Sequence, residues 1–68
     1  MSNFEDMINH PSLQREFSRF RSLGGQIRID NNKIVLYSMI IPEDITELFA
    51  QRIRRLDVEN LLEVVVEI

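Results

Sequence analysis

Cysteine is absent from this sequence of 68 residues, tryptophan is absent too, and histidine occurs once. Without a thiol there is no disulfide, no zinc ribbon and no thiolate nucleophile. A single imidazole, His10, excludes a histidine metal cluster within one chain. No segment approaches the roughly 18 consecutive apolar residues of a membrane span. The longest apolar run, Ile34 to Ile41, is interrupted by Ser38 and suits a strand with its exit. Absence of cysteine and of a signal-like segment fits a reducing, cytoplasmic setting with no membrane partner.

What remains is an ordinary globular composition, 44% hydrophobic and 28% charged, with a net charge of −3. Such a composition argues against disorder. Sixty-eight residues make one domain, here residues 1–68 read as a single small interaction domain. A domain of this size buries only roughly 60% of the surface its unfolded chain exposes. With the usual staples missing, self-association or docking is the expected source of added stability, and a homodimer is expected. The charges are unevenly spread. Arg15, Arg19, Arg21, Arg28 and Lys33 lie in the first half, while Asp57, Glu59, Glu63 and Glu67 fill the tail. That separation permits head-to-tail or two-fold self-pairing, although a plain solvated surface is the commoner meaning of such runs.

Punctuation is sparse: Pro11, Gly24-Gly25, Asn31-Asn32 and Pro42 divide the chain. Ser2-Asn3 can cap a short opening helix in which Phe4, Met7 and Ile8 share a face. Pro11 fits the first turn of a second helix, roughly Ser12 to Ser22, with Asn9, His10 or Ser12 near its cap. There Leu13, Phe17 and Phe20 make an i, i+4, i+7 core stripe, and Gly24-Gly25 stops the helix. Gln26–Asp30 and Lys33–Ser38 then flank two asparagines, which tolerate the positive φ of a type I′ turn. The implied register sets Ile29 against Ile34 and Ile27 against Leu36 on one apolar face. Arg28, Asp30, Lys33, Val35 and Tyr37 share the other, and a one-residue slip would mix the two.

Pro42-Glu43-Asp44 opens a third helix whose stripe is Ile45, Leu48, Phe49, Ile53 and Leu56, with Arg52, Arg54 and Arg55 at its carbonyl end. The tail carries two periods. Leu62, Val64, Val66 and Ile68 alternate as in a strand, whereas Val58, Leu61, Leu62, Val65 and Ile68 fit a helix with Asp57 as cap. The three valines favour a strand, and the combined reading is a short helical turn over Val58 to Leu62 followed by that strand. The fold class is thus α+β: helix, β-hairpin, helix, then a C-terminal strand or helix, with a small single-layer sheet packed on the helices.

Little here carries chemistry. His10 has no supporting nucleophile and reads as a surface or capping residue. Glu43, Asp44 and Glu47 can be imagined as a weak divalent site, but acidic groups in a first helical turn need no metal to explain them. Gly24-Gly25 closes a helix, the reverse of a phosphate-binding loop. No enzyme, catalytic residue, cofactor or metal site is expected. Arg15, Arg19, Arg52 and Arg55 could line helix faces that grip phosphates, so a small nucleic-acid-binding regulator is the second reading. It lacks a platform of stacking aromatics, because three of the four phenylalanines sit on core stripes. The first reading is a protein–protein interaction module that binds another protein or peptide segment. It uses a hairpin edge and the adjacent residues Arg28, Lys33, Val35 and Tyr37.

The order of these elements resembles the TubC-type docking domain found at the N-termini of subunits in hybrid nonribosomal peptide and polyketide synthases. The likeness runs from about Leu13 to Leu62. It rests on Leu23-Gly24-Gly25-Gln26-Ile27-Arg28-Ile29, the hairpin through Leu36-Tyr37, and Ile41-Pro42-Glu43-Asp44-Ile45. The resemblance implies a homodimeric α-β-β-α-α fold whose second hairpin strand, Ile34 to Ser38, receives a partner's C-terminal peptide by strand addition. It also implies that Arg28 or Lys33 attracts acidic residues of that peptide.

Overall fold

A computed structural model describes residues 4–68 of the chain; the Ser2-Asn3 cap falls outside the described residues. Helix α1 is Phe4–Ile8, α2 Pro11–Ser22 and α3 Glu43–Leu56; strands are β1 Gln26–Asp30, β2 Lys33–Tyr37 and β3 Glu63–Glu67. The protein is α+β, with a three-stranded mixed sheet in the order β1-β2-β3.

Local signals explain most of these boundaries. Pro11 starts α2, where its missing N–H costs nothing, and His10 Nδ1 accepts the Ser12 N–H at 3.2 Å as the cap. At the other end the Gly24 N–H donates to the Arg21 carbonyl at 2.9 Å, with Gly24 at φ +94. Gly25 is required for a different reason: a Cβ there would fall 2.4 Å from the Phe20 ring. Asn31 and Asn32 both adopt positive φ, as a type I′ turn demands. All five β1–β2 pairs follow, from Asp30↔Lys33 to Gln26↔Tyr37.

Leu13, Phe17 and Phe20 from α2 meet Ile34 and Leu36 from β2, Val64 from β3, and Phe49, Ala50 and Ile53 from α3. Both long helices therefore cover the same side of the sheet, with Phe20 and Phe49 edge to face at 5.3 Å. Met7 and Ile8 of α1 pack against the margin of this core, and Gln14 Nε2 ties α1 to α2 through the Ile8 carbonyl at 2.7 Å.

Two expectations are corrected. The buried residues of α3 are Thr46, Phe49, Ala50 and Ile53, so the helix is rotated from the stripe that begins at Ile45 and Leu48. Thr46 is tolerated inside because its hydroxyl donates to the Pro42 carbonyl at 3.0 Å. Ala50, being small, lets the helix approach closely. Nor is there a helical turn over 58–62. Asp57 is buried and its carboxylate accepts the Leu61 and Leu62 N–H groups at 2.8 and 2.7 Å. Asn60, at φ 56, helps reverse the chain there. The segment is consumed in a turn, and β3 follows as a strand rather than the closing helix that the family resemblance implied.

β3 pairs parallel to β2, with Ile34↔Val64, Val35↔Val65 and Leu36↔Val66. A parallel neighbour needs a long crossover, and α3 supplies it. β2 is consequently the central strand.

Candidate functional site

Main-chain directions in the sheet decide what it can still bind. The Ser38 N–H donates to the Glu67 carbonyl at 2.8 Å, and the Glu63 N–H to the Asn32 carbonyl at 2.7 Å. Even-numbered residues of β2 therefore aim their backbone at β3, and Lys33, Val35 and Tyr37 aim theirs at β1. Their partners Gln26, Arg28 and Asp30 point inward, which leaves the amides and carbonyls of Ile27 and Ile29 directed out of the sheet. By the same alternation Val64 and Val66 point outward on β3.

The expected docking strand is thus corrected. Ile34 to Ser38 cannot accept a peptide strand, because β2 is paired on both sides. The available rims are β1 and β3, and they differ. On β3, Arg54 Nη2 donates to the Val64 carbonyl at 2.6 Å while its Nη1 holds Glu47 Oε1 at 2.9 Å. A guanidinium thereby occupies the space that an incoming strand would need, one of the standard ways of blunting an edge. Glu63 and Glu67 add like charge along that strand. On β1, among the described residues, no side chain caps the outward groups. Ile29 is 36% exposed although it lies on the core side of the sheet, toward the turn end of β1, whereas Ile27 packs against the core.

The four residues singled out around the hairpin share the uncovered face of the sheet. Arg28 is exposed, and Lys33 and Tyr37 are half-buried. Val35 is 0% exposed, flanked by Arg28 and Val65 across the strands, so its side chain is out of a partner's reach. Lys33 lies between Asp30 and Glu63 in the register, which offsets its charge. Arg28, on the rim strand, is the cation best placed to meet a ligand.

Where β1 begins, Gly24, Gln26, Tyr37, Met39 and Ile40 line a small, open hollow. Met39 and Ile40 are each 73% exposed.

The arginines of the second reading are only partly drawn together. Arg15 and Arg19 are exposed on α2 and Arg55 on α3. Arg52 is engaged, its Nη2 lying 3.1 Å from Glu16 Oε2 and its guanidinium 6.0 Å from the centre of the Phe49 ring. Phe17 and Phe20 are fully buried and cannot stack on bases. Glu16, which the sequence reading passed over, has its second carboxylate oxygen buried without a partner. The signal was present: Glu16 stands three residues after Leu13 and four before Phe20, on the apolar stripe. Of the acidic residues early in α3, Glu47 is held by Arg54. Among the described residues no three His, Asp or Glu side chains converge, and no helix is long and apolar enough to cross a membrane.

No family model matches this sequence, and comparison with curated proteins and with solved structures yields no significant match.

Proposed function

We propose that this protein is a non-enzymatic docking module that receives an extended segment of another protein along β1, and that it works as a homodimer. One observation carries the reading: of the two sheet edges, one is plugged by an arginine and the other, among the described residues, is left open. Strand addition gains its affinity from main-chain bonds and its specificity from alternate side chains. Here the outward groups of Ile27 and Ile29 provide the bonds. On the core side an incoming strand meets the exposed flank of Ile29, and on the other side Arg28. The preferred ligand is therefore an extended segment alternating apolar residues with polar ones, with an acid abreast of Arg28. The whole outer face does not select acidic peptides, since Asp30, Glu63 and Glu67 outnumber Arg28 and Lys33 there.

Selection from a displayed peptide library, followed by amide-shift mapping, tests this. Ligands are expected to perturb Ile27 to Asp30 and to protect the Ile27 and Ile29 amides. Ligands that map to the helices contradict the reading. So does tight binding of duplex or single-stranded oligonucleotides with a steep salt slope, which would instead favour Arg15, Arg19 and Arg55 as a phosphate-binding surface.

A further inference from the structure

The outward face of α3 is unusual in its arrangement. Asp44, Ile45, Leu48, Gln51, Arg52 and Arg55 follow the i, i+1, i+4, i+7, i+8, i+11 spacing of one helical stripe. All six are exposed, including Leu48 at 57% and Ile45 at 38%. The rotation of α3 that buries Thr46 and Ala50 is what puts these two large apolar side chains in water. Along the stripe the order is acidic, apolar, then basic.

We infer that this stripe pairs with the same stripe of a second copy, the two α3 helices running antiparallel about a two-fold axis near Leu48. A two-fold contact must be self-complementary, each residue meeting the mirror position in the sequence. Antiparallel pairing about Leu48 sets Leu48 against its own copy. It also brings Asp44 of each chain abreast of Arg52 and within a turn of Arg55 of the other. The same complementarity occurs twice. A parallel arrangement would instead oppose Asp44 to Asp44 and Arg55 to Arg55. No unrelated partner is needed to account for the pattern, because one chain already holds both halves of it.

Neighbouring geometry extends the apolar centre. Contacts of Glu16 with Arg52 and of Phe20 with Phe49 make α2 and α3 antiparallel. The same register carries exposed Leu23 toward Ile45. From Asp44 to Arg55 the stripe is only about 16 Å long, so the contact belongs among small, reversible interfaces and its population depends on concentration. Arg55 is the better basic handle for a test, because Arg52 also serves Glu16.

The inference rests on the homodimer in the proposed function and not on docking at β1. Sedimentation across a concentration series tests it with the full chain, melting transitions confirming that each variant folds. Wild type is expected to dimerise reversibly. Asp44→Arg alone and Arg55→Asp alone are each expected to weaken dimerisation by at least about tenfold, since each opposes like charges. An equimolar mixture of the two is expected to restore it as a heterodimer, because the arginine introduced in one variant then faces the aspartate introduced in the other. Should Asp44→Arg prove poorly folded, Leu48→Gln, which removes the apolar centre, replaces it as the disrupting variant. Dimerisation unchanged in these variants overturns the inference and moves the contact elsewhere on the molecule. Wild type that stays monomeric throughout overturns both the inference and the homodimer, and leaves docking at β1 to be judged by peptide binding.

Discussion

β1 and β3 are both outer strands of five residues, yet they are embedded very differently. β3 is tied to β2 at both ends, through Glu63 to Asn32 and Ser38 to Glu67, and Arg54 seals the Val64 carbonyl on its outer side. Val64, which faces the core, is buried. β1 is held by a hairpin on one side and, among the described residues, pairs with no strand on the other, and within it Ile27 alone is half-buried while the rest are exposed. Exposed edges are an aggregation hazard, and among the described residues only the β3 edge carries a side-chain cap. Hydrophobic burial alone would not show the distinction. It emerges from where backbone groups point and from what caps them.

Four substitutions, in falling order of effect, would break or sharpen that contrast. Val35→Pro removes an amide that faces β1 from the central strand and fixes φ in the middle of a ladder paired on both sides. It should cost about 3 kcal/mol or more, enough to unfold much of a domain this small. A cooperative melt close to wild type would mean that β2 is not central. Asp57→Ala deletes the carboxylate that accepts two backbone N–H groups ahead of β3, leaving them partly buried and unpaired. A loss of about 2–3 kcal/mol is expected in urea denaturation, with β3 the first element to lose amide protection. Arg54→Ala should cost about 1 kcal/mol, because its ion pair with Glu47 is exposed and contributes little while its bond to Val64 remains to be lost. Its sharper consequence is that the β3 edge opens, so association through β3 should appear that wild type lacks. Ile29→Pro should cost under about 1 kcal/mol, since proline is tolerated where the amide faces solvent on an outer strand. The same change should abolish peptide docking on β1, and a ligand that binds it as tightly as wild type would have to use another surface.

Much of this architecture was legible locally. Asn31-Asn32 between β-branched runs set the hairpin, and the alternation of isoleucines set its register to the residue. Leu13, Phe17, Phe20 and the paired glycines defined α2 equally well. Long-range features were not legible in the same way. Nothing near β2 announces that a strand some thirty residues later lies parallel to it, so the docking rim that the family resemblance implies falls on the wrong strand. The phase of α3 departs from its apolar pattern because a threonine and an alanine, weakly apolar on any scale, take the core positions in place of Ile45 and Leu48. A local hydrogen bond made the threonine cheap to bury. Asp57 looked like a helix cap and does cap backbone amides, but those of a turn. Of the candidate contact residues, Arg28 is well placed, Lys33 is flanked by acids, and Val35 is sealed by its neighbours.

Native-state amide exchange on the isolated protein at low concentration tests the central claim most directly. The account predicts slow exchange at Arg28 and at Ile34, Leu36 and Val35, with fast exchange at Ile27 and Ile29, an alternation that only a strand with one free side produces. Protection of Ile27 and Ile29 equal to that of Ile34 and Leu36, in the absence of any ligand, would contradict it.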